Sequence, residues 1–385
     1  MKNNIKVCSR CIMDETVPDI VFDERGECNY CKFQDMLAKE YPQGQKGKEN
    51  FDKLVNEIKK EGLNKPYDCI VGVSGGTDST YLLLTIKELG LRPLAVNLDN
   101  GWHSEIAVDN IKKTLDKLKI DLRTYVIDWE EMKNVHISFL KASLPWVDGP
   151  SDLAITLSLY KIANEEGIKY VFIGHDFRKE GRQPDEWTYT DGRMIKAVVK
   201  NFGTLKKFRS FPNLTAFRIL YYGMFRKIKI IRPYWYLEYN KSAAQKIIEK
   251  ELNWRYYGEH HHESIFTRFI IGYWLPKKFS IDKRRVTYSA LIRSGEMTRE
   301  LALEKVKKIP YALEKMDEDK EYIIKKLGIT PNEFNKLFNQ PNKSFRDYPS
   351  YYPLFKRFGG IINWLLGLIM PTKPMMTFEL IRKKD

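Results

Sequence analysis

The chain has 385 residues, 43% hydrophobic and 30% charged, which excludes collagen-like and wholly disordered chains and allows two or three units of roughly 150 residues each. Lysines and arginines number 65 against 50 aspartates and glutamates, a net charge of +15 that points to a polyanionic partner: nucleotide, nucleotide-linked sugar, RNA or anionic membrane surface. Met1 to Val7 contains no apolar signal-peptide core, so the sequence reads as cytoplasmic; the late apolar stretch Ile361 to Met370 is shorter than the roughly 20 residues a spanning helix needs.

The first element is a cysteine-rich head, residues 1–45. Cys8-Ser-Arg-Cys11 and Cys28-Asn-Tyr-Cys31 form two knuckles at zinc-ribbon spacing, so Cys8, Cys11, Cys28 and Cys31 are the candidate metal ligands. Four thiolates suit zinc, and an iron-sulfur cluster would use the same set. A closed site of this kind has no open position, which assigns it a structural or docking role. Tyr41 to Asn50, rich in Pro, Gly and Lys, reads as a link.

From Tyr67 the pattern is α/β. Apolar runs at Asp68 to Val73, Leu94 to Leu98, Thr124 to Ile127 and Tyr170 to Ile173 alternate with helical stretches at Ser79 to Leu89, Ser104 to Leu118, Trp129 to Lys141 and Leu153 to Glu166. That alternation predicts a doubly wound, mainly parallel sheet over residues 50–238. Residues 177–235 read as a basic insertion: from Gly192 to Leu237 there is no acidic residue, and cations alternate with Phe, Tyr and Leu. Residues 239–340 read as helical, and 341–385 as a basic and apolar tail.

Between the first buried strand and its helix stands Ser74-Gly75-Gly76-Thr77-Asp78-Ser79. Two glycines permit a tight turn and close approach to a ligand, and the N–H groups at a helix start form an anion nest. The loop is built for phosphate, yet it lacks the Lys-Ser/Thr ending of a Walker A loop. Asn97-Leu-Asp99 and Gly174-His-Asp176 end the second and fourth strands, at the carboxyl edge where open α/β sheets bind nucleotides.

In this setting SGGTDS resembles the pyrophosphatase loop of the PP-loop ATP pyrophosphatase superfamily, whose members have an adenine nucleotide alpha-hydrolase-like fold. The head, together with Trp254 to Phe269 and with Leu275-Pro-Lys-Lys-Phe-Ser-Ile-Asp-Lys-Arg-Arg285 continuing to Glu300, is similar to the N-acetyl sugar amidotransferase family. The resemblance implies ATP cleavage to AMP and pyrophosphate, with Mg²⁺ and a structural Zn²⁺. Ser74, Gly75, Gly76, Thr77, Asp78 and Ser79 would hold pyrophosphate, Asn97 and Asp99 would touch adenosine, and Gly174 and Asp176 would sit beside the phosphates. Asp78 would organise Mg²⁺. The implied reaction turns a sugar acetamido group into acetamidino for O-antigen or related surface glycans. Its acceptor is an N-acetylated sugar, nucleotide-linked or lipid-linked. Its ammonia comes from a separate glutaminase resembling the histidine-pathway glutamine amidotransferase with its cyclase-like partner, because Cys69, the fifth cysteine, lies in a strand and reads as core.

Downstream, Lys277, Lys278, Lys283, Arg284 and Arg285 form a cationic run suited to phosphate or carboxylate, and Lys278 joins Asp78 and His261 as a catalytic candidate. Among His260, His261, His262 and Glu263, substrate contact by His261 and Glu263 is expected over metal binding, because consecutive residues point in different directions. The basic segment has two readings. In one, Ser210 to Ile231 is an interfacial helix laying Phe211, Leu214, Phe217, Leu220, Tyr221 and Phe225 on an inner-membrane surface; in the other it packs on the sheet and offers cations to substrate. The rival function is a tRNA-modifying PP-loop enzyme of thiolation or lysidine type. Sulfur transfer wants a spare reactive cysteine, so no nucleic acid partner is expected.

Overall fold

A computed structural model describes residues 5–258 and 262–369. Five strands, β1 (Cys69–Gly72), β2 (Pro93–Asp99), β3 (Leu122–Val126), β4 (Tyr170–Phe172) and β5 (Lys229–Ile231), form one sheet in the order β3-β2-β1-β4-β5. Every pairing is parallel; Cys69 to Gly72 lie opposite Pro93 to Val96, and Tyr170 lies opposite Lys229. The apolar runs are continuous because a parallel sheet is covered on both faces. Cys69 and Val71 face Phe51, Leu82, Ile86 and Ile111, while Ile70, Leu94 and Val96 face Leu157, Tyr160 and Ile162. The first set comes from helices α2 (Gly44–Gly62), α3 (Thr77–Glu88) and α4 (Glu105–Leu118); the second comes from α6 (Gly149–Glu165). The expected doubly wound architecture is the one observed. Its helix starts are written in the sequence: Ser104 caps α4 by accepting from the Ala107 N–H, and Asp128 caps α5 (Trp129–Lys141) by accepting from Glu131.

Two expectations change. The stretch Tyr41 to Asn50 is mostly not a link, since α2 begins at Gly44, four residues after α1 (Asn29–Glu40). Gln43 donates to the carbonyls of Tyr234 and Leu237, and a Cβ at Gly47 would fall 2.3 Å from the carbonyl oxygens of Pro42 and Tyr236. Glycine stands there for close packing rather than for flexibility. The basic segment is also more than an insertion, because it supplies β5. Phe211 and Leu214, which face lipid in the interfacial reading and pack inward in the other, are buried in the core.

The carboxyl-terminal region is helical as expected, with helices Lys241–Leu252, Ile265–Phe269, Leu275–Phe279, Arg284–Arg293, Arg299–Lys307, Leu313–Leu327 and Pro331–Asn339. A π turn, Ile270–Trp274, carries Trp274 into the same core as Phe266, Phe269 and the head cysteines. Arg268 pairs with Asp319 through two 2.7 Å hydrogen bonds, both side chains nearly inaccessible. The last described helix, Tyr352–Ile369, exposes Leu354, Phe358, Ile361 and Trp364. No described helix is long and apolar enough to cross a membrane.

Candidate functional site

The phosphate-binding candidate is the turn from β1 into α3. Gly75 has φ +78°, and a Cβ there would lie 2.2 Å from the Ala107 carbonyl oxygen, so only glycine fits. Its carbonyl is held from outside the motif by Trp254 Nε1 (3.0 Å) and Asn110 Nδ2 (3.4 Å). Within the loop, Ser79 Oγ accepts from the Ser74 N–H at 3.2 Å, and Ser74 Oγ accepts from the Gly76 N–H at 3.4 Å. Tyr257 OH accepts from the Thr77 N–H at 3.3 Å. The hydroxyls therefore pre-shape the turn, and the α3 amino terminus, with its partial positive charge, is left at the carboxyl edge of the sheet.

Asp78 stands in the first turn of α3 with both carboxylate oxygens engaged. Tyr239 OH donates to Oδ1 and Lys241 Nζ lies 3.2 Å from Oδ2. Tyr234 OH donates to the Asp78 carbonyl at 3.0 Å. These partners lie 156 to 163 residues downstream, outside any motif, and sequence reasoning missed them. The one available signal was Asn240, whose side chain accepts from the Ala243 N–H and starts a helix on Lys241. Burial pushes the Tyr239 phenol far above its ordinary range, so it donates as a neutral hydroxyl.

The end of β4 closes against this turn: a Cβ at Gly174 would lie 3.1 Å from the Asp78 carbonyl, which explains the glycine. Asp176 is buried; its Oδ1 accepts from the Arg178 N–H at 3.0 Å, while Oδ2 has no hydrogen-bond partner among the described residues. Burial pushes its carboxyl up to about 7. Glu180 accepts from the Asp176 N–H at 3.1 Å and lies 3.7 Å from His175 Nε2, adding an acid that the sequence reading did not single out.

At the end of β2, Asn97 is turned inward, donating to the Val73 carbonyl at 2.8 Å, and Asp99 accepts from the Gly101 N–H at 2.9 Å. Both shape the turn beside the loop. Glu263 arrives from far along the chain: the Ser104 N–H donates to its carbonyl at 2.9 Å and the Ile265 N–H donates to Trp102 at 3.0 Å. This places Glu263 Oε1 3.5 Å from where a Gly76 Cβ would stand. Nearby His103 is half-buried, and desolvation lowers its imidazole. His260 and His261 lie outside the described residues.

The cationic run disperses. Lys278 donates to the carbonyls of Phe338 and Gln340, both at 2.6 Å, and so closes the end of helix Pro331–Asn339. Arg284 binds Asp282 and the carbonyls of Lys305 and Val306; Arg285 pairs with Asp14 at 2.8 Å and donates to the Ile12 carbonyl. These three side chains join one element to another. Lys277 is exposed. Lys283 alone points inward: its ammonium lies 3.6 Å from the Trp146 ring centroid, and burial lowers it to about 8 against the attraction of Asp152, Asp148 and Glu180.

The four cysteines meet as expected. Cys8, Cys11, Cys28 and Cys31 are fully buried with sulfurs within 4.8 Å of one another, and the pairs Cys8–Cys31, Cys11–Cys28 and Cys28–Cys31 stand 3.9, 3.7 and 3.6 Å apart. A tetrahedron with metal–sulfur bonds of about 2.3 Å has edges of roughly 3.8 Å, so the donor set fits a metal held by four thiolates. Hydrogen bonds, led by the one from Cys28, draw Cys11 well below the thiol range, whereas Cys11 pushes Cys28 and Cys31 up. The sequence reading missed Arg293, whose Nε lies 3.2 Å from Cys31 Sγ and whose terminal nitrogen lies 3.3 Å from Cys11 Sγ. Arg293, Ser289 and Arg285 on one helix, with Arg299 beyond it, fasten the head to the carboxyl-terminal region. Cys69 is sealed in β1 and burial raises its thiol far above the ordinary value.

Residues 263–360 match the family model of the LPS biosynthesis protein WbpG-like, C-terminal domain. The match begins at the residue that meets Gly76. No curated protein sequence matches the chain. Among solved structures the chain is similar to the NMN synthetase of Francisella tularensis, at 16% identity over 74% of this chain and 98% of that one, with a TM-score of 0.31. It is also similar to the NH3-dependent NAD synthetase of Campylobacter jejuni, at 14% identity over 69% and 99%, with a TM-score of 0.29. The U34-tRNA thiolase NcsA of Methanococcus maripaludis with its 4Fe-4S cluster gives 12% identity over 88% and 90%, with a TM-score of 0.30.

Proposed function

We propose that the chain is an ATP-dependent N-acetyl sugar amidotransferase of bacterial surface-glycan biosynthesis, converting an acetamido group to acetamidino. The observation that carries this reading is the meeting of the SGGTDS turn with Glu263, the first residue of the WbpG-like segment. A phosphate-binding turn and a lipopolysaccharide-biosynthesis domain thereby share one edge of the sheet. In the proposed reaction the acetamido oxygen attacks the α phosphorus of ATP and pyrophosphate leaves. Ammonia then adds to the imidoyl carbon, gives up a proton, and the carbon–oxygen bond breaks to release AMP carrying the former acetamido oxygen.

The residues suit their parts. The α3 amino terminus and Ser74, Thr77 and Ser79 receive the pyrophosphate, and Lys241 supplies a cation beside it. Mg²⁺, when bound with the nucleotide, neutralises phosphate charge; Asp78 and Asp176 are the carboxylates at this edge that would hold it. Glu263, beside Gly76, and Lys283, beside Trp146, are assigned to the sugar. Zinc in the four-cysteine site would pin the head to helix Arg284–Arg293, whose first turn follows Lys283. Ammonia is assigned to a separate glutaminase, since none of the five cysteines is a spare nucleophile: four are clustered and Cys69 is sealed. The same shortage counts against tRNA thiolation.

Incubating the chain with ATP, ammonium and a panel of N-acetylated nucleotide sugars tests the proposal. The expected result is a sugar in which oxygen is replaced by NH, formed in step with AMP. Glutamine should support the reaction only when a glutaminase is added. Thiolation of tRNA with no turnover of any sugar would overturn it.

A further inference from the structure

Residues Ala216–Leu220 form a helix that continues without a break as a π turn, Tyr221–Phe225. Its inner side is anchored: Ile219 and Tyr222 pack against the core under the sheet, and Tyr222 stacks on Tyr160 at 5.4 Å with the rings 4° apart. Its outer side is apolar. Phe217 and Phe225 are each 73% exposed, and Leu220, Tyr221 and Met224 are exposed beside them. Five large apolar side chains on ten consecutive residues are more than the scattered exposure of an ordinary surface. Arg218, Arg226 and Lys227 on the same run are exposed, and no acidic residue occurs from Gly192 to Leu237.

We propose that this surface docks on an anionic lipid bilayer, the rings and Met224 entering the headgroup boundary while Arg218, Arg226 and Lys227 meet lipid phosphates. An interfacial element needs an apolar side rimmed by cations, which is the pattern here, with no acid on the run itself and Glu165 near Tyr222. A second copy of the chain would bring the same cations face to face, and RNA would leave Leu220 and Met224 without partners. The run leads into the first residue of β5, at the amino edge of the parallel sheet, so docking leaves the phosphate-binding edge open to solvent. The surface expected from sequence is thereby narrowed: Phe211 and Leu214 drop out and Met224 enters.

Flotation of the full chain with vesicles decides the matter. At low salt the chain should float with phosphatidylcholine vesicles containing about one-third phosphatidylglycerol and remain in solution with pure phosphatidylcholine, and high salt should release it. Phe217→Ser with Phe225→Ser, and separately Arg226→Glu with Lys227→Glu, should each weaken binding by about tenfold or more while melting like the parent chain. Equal flotation of the parent and the double variants, or no preference for the anionic vesicles, would overturn the proposal. So would a parent dimer that the Phe variant converts to monomer, or tRNA binding abolished by that variant.

Discussion

Lys241 and Lys278 both belong to helices of the carboxyl-terminal half, yet one ends on Asp78 of the SGGTDS turn and the other on the carbonyl end of a neighbouring helix. The contrast extends to their surroundings. The densest cationic run in that half, residues 277 to 285, is spent largely on joints, whereas the phosphate edge draws its cation from an isolated lysine two residues after Tyr239. Local charge density therefore does not tell which cations are engaged; what matters is whether the backbone nearby already offers carbonyls for them to satisfy.

That contrast gives its sharpest test at the phosphate edge. Lys241→Met should lower turnover on the order of a thousandfold while shifting the melting temperature little, because it removes charge aimed at the phosphates. In the joint region the order reverses. Arg268→Met leaves Asp319 buried and unpaired and should cost about 3 to 5 kcal/mol in denaturant unfolding. An activity loss for the Arg268 variant without a stability loss would erase the distinction.

Asp176 sharpens the comparison through pH. Burial raises its carboxyl to about 7, above the roughly 3.9 of the unfolded chain, so the folded chain binds the proton more tightly. Its contribution to stability is greatest below about pH 4 and declines until about pH 7, where the group ionises in the fold. Asp176→Asn should therefore melt above the parent near pH 8 by an amount worth roughly 1 to 3 kcal/mol, with the gap closing toward acid. Turnover should fall in the same variant, as expected for strain kept at a working site. A gap that does not change with pH would contradict the assignment.

Smaller effects belong to the joints themselves. Arg293→Met should retain a four-cysteine metal but release it to a chelator on the order of tenfold more readily, read from the cobalt–thiolate absorption of the substituted chain. Lys278→Met should cost about 1 to 2 kcal/mol, from two helix-end carbonyls left without a donor, and leave turnover near the parent value.

Much of this layout was legible in the sequence, and the reasons are local. Trp129–Lys141 was read with its observed ends because Asp128 caps it, and the four cysteines were read because their spacing is itself the geometry. The short strand β5 was hidden because its three residues sit in a basic stretch, and α2 was not read at all, its first turn taken for a link because of glycines that serve packing at Gly47. Tyr239, Lys241 and Tyr257 were hidden for a different reason. They reach the turn across 161 to 180 residues, and only the fold brings them there. The carbonyls that Arg285 and Lys278 hold were hidden as well, because a sequence shows a side chain's charge but not the backbone groups it meets.

The most direct test of the account is the fate of an acetamido oxygen labelled with a heavy isotope, followed in a reaction with ATP and ammonium. AMP and pyrophosphate should appear in equal amounts, and the label should be recovered in the phosphate of AMP. Label found in inorganic phosphate alongside ADP would contradict it.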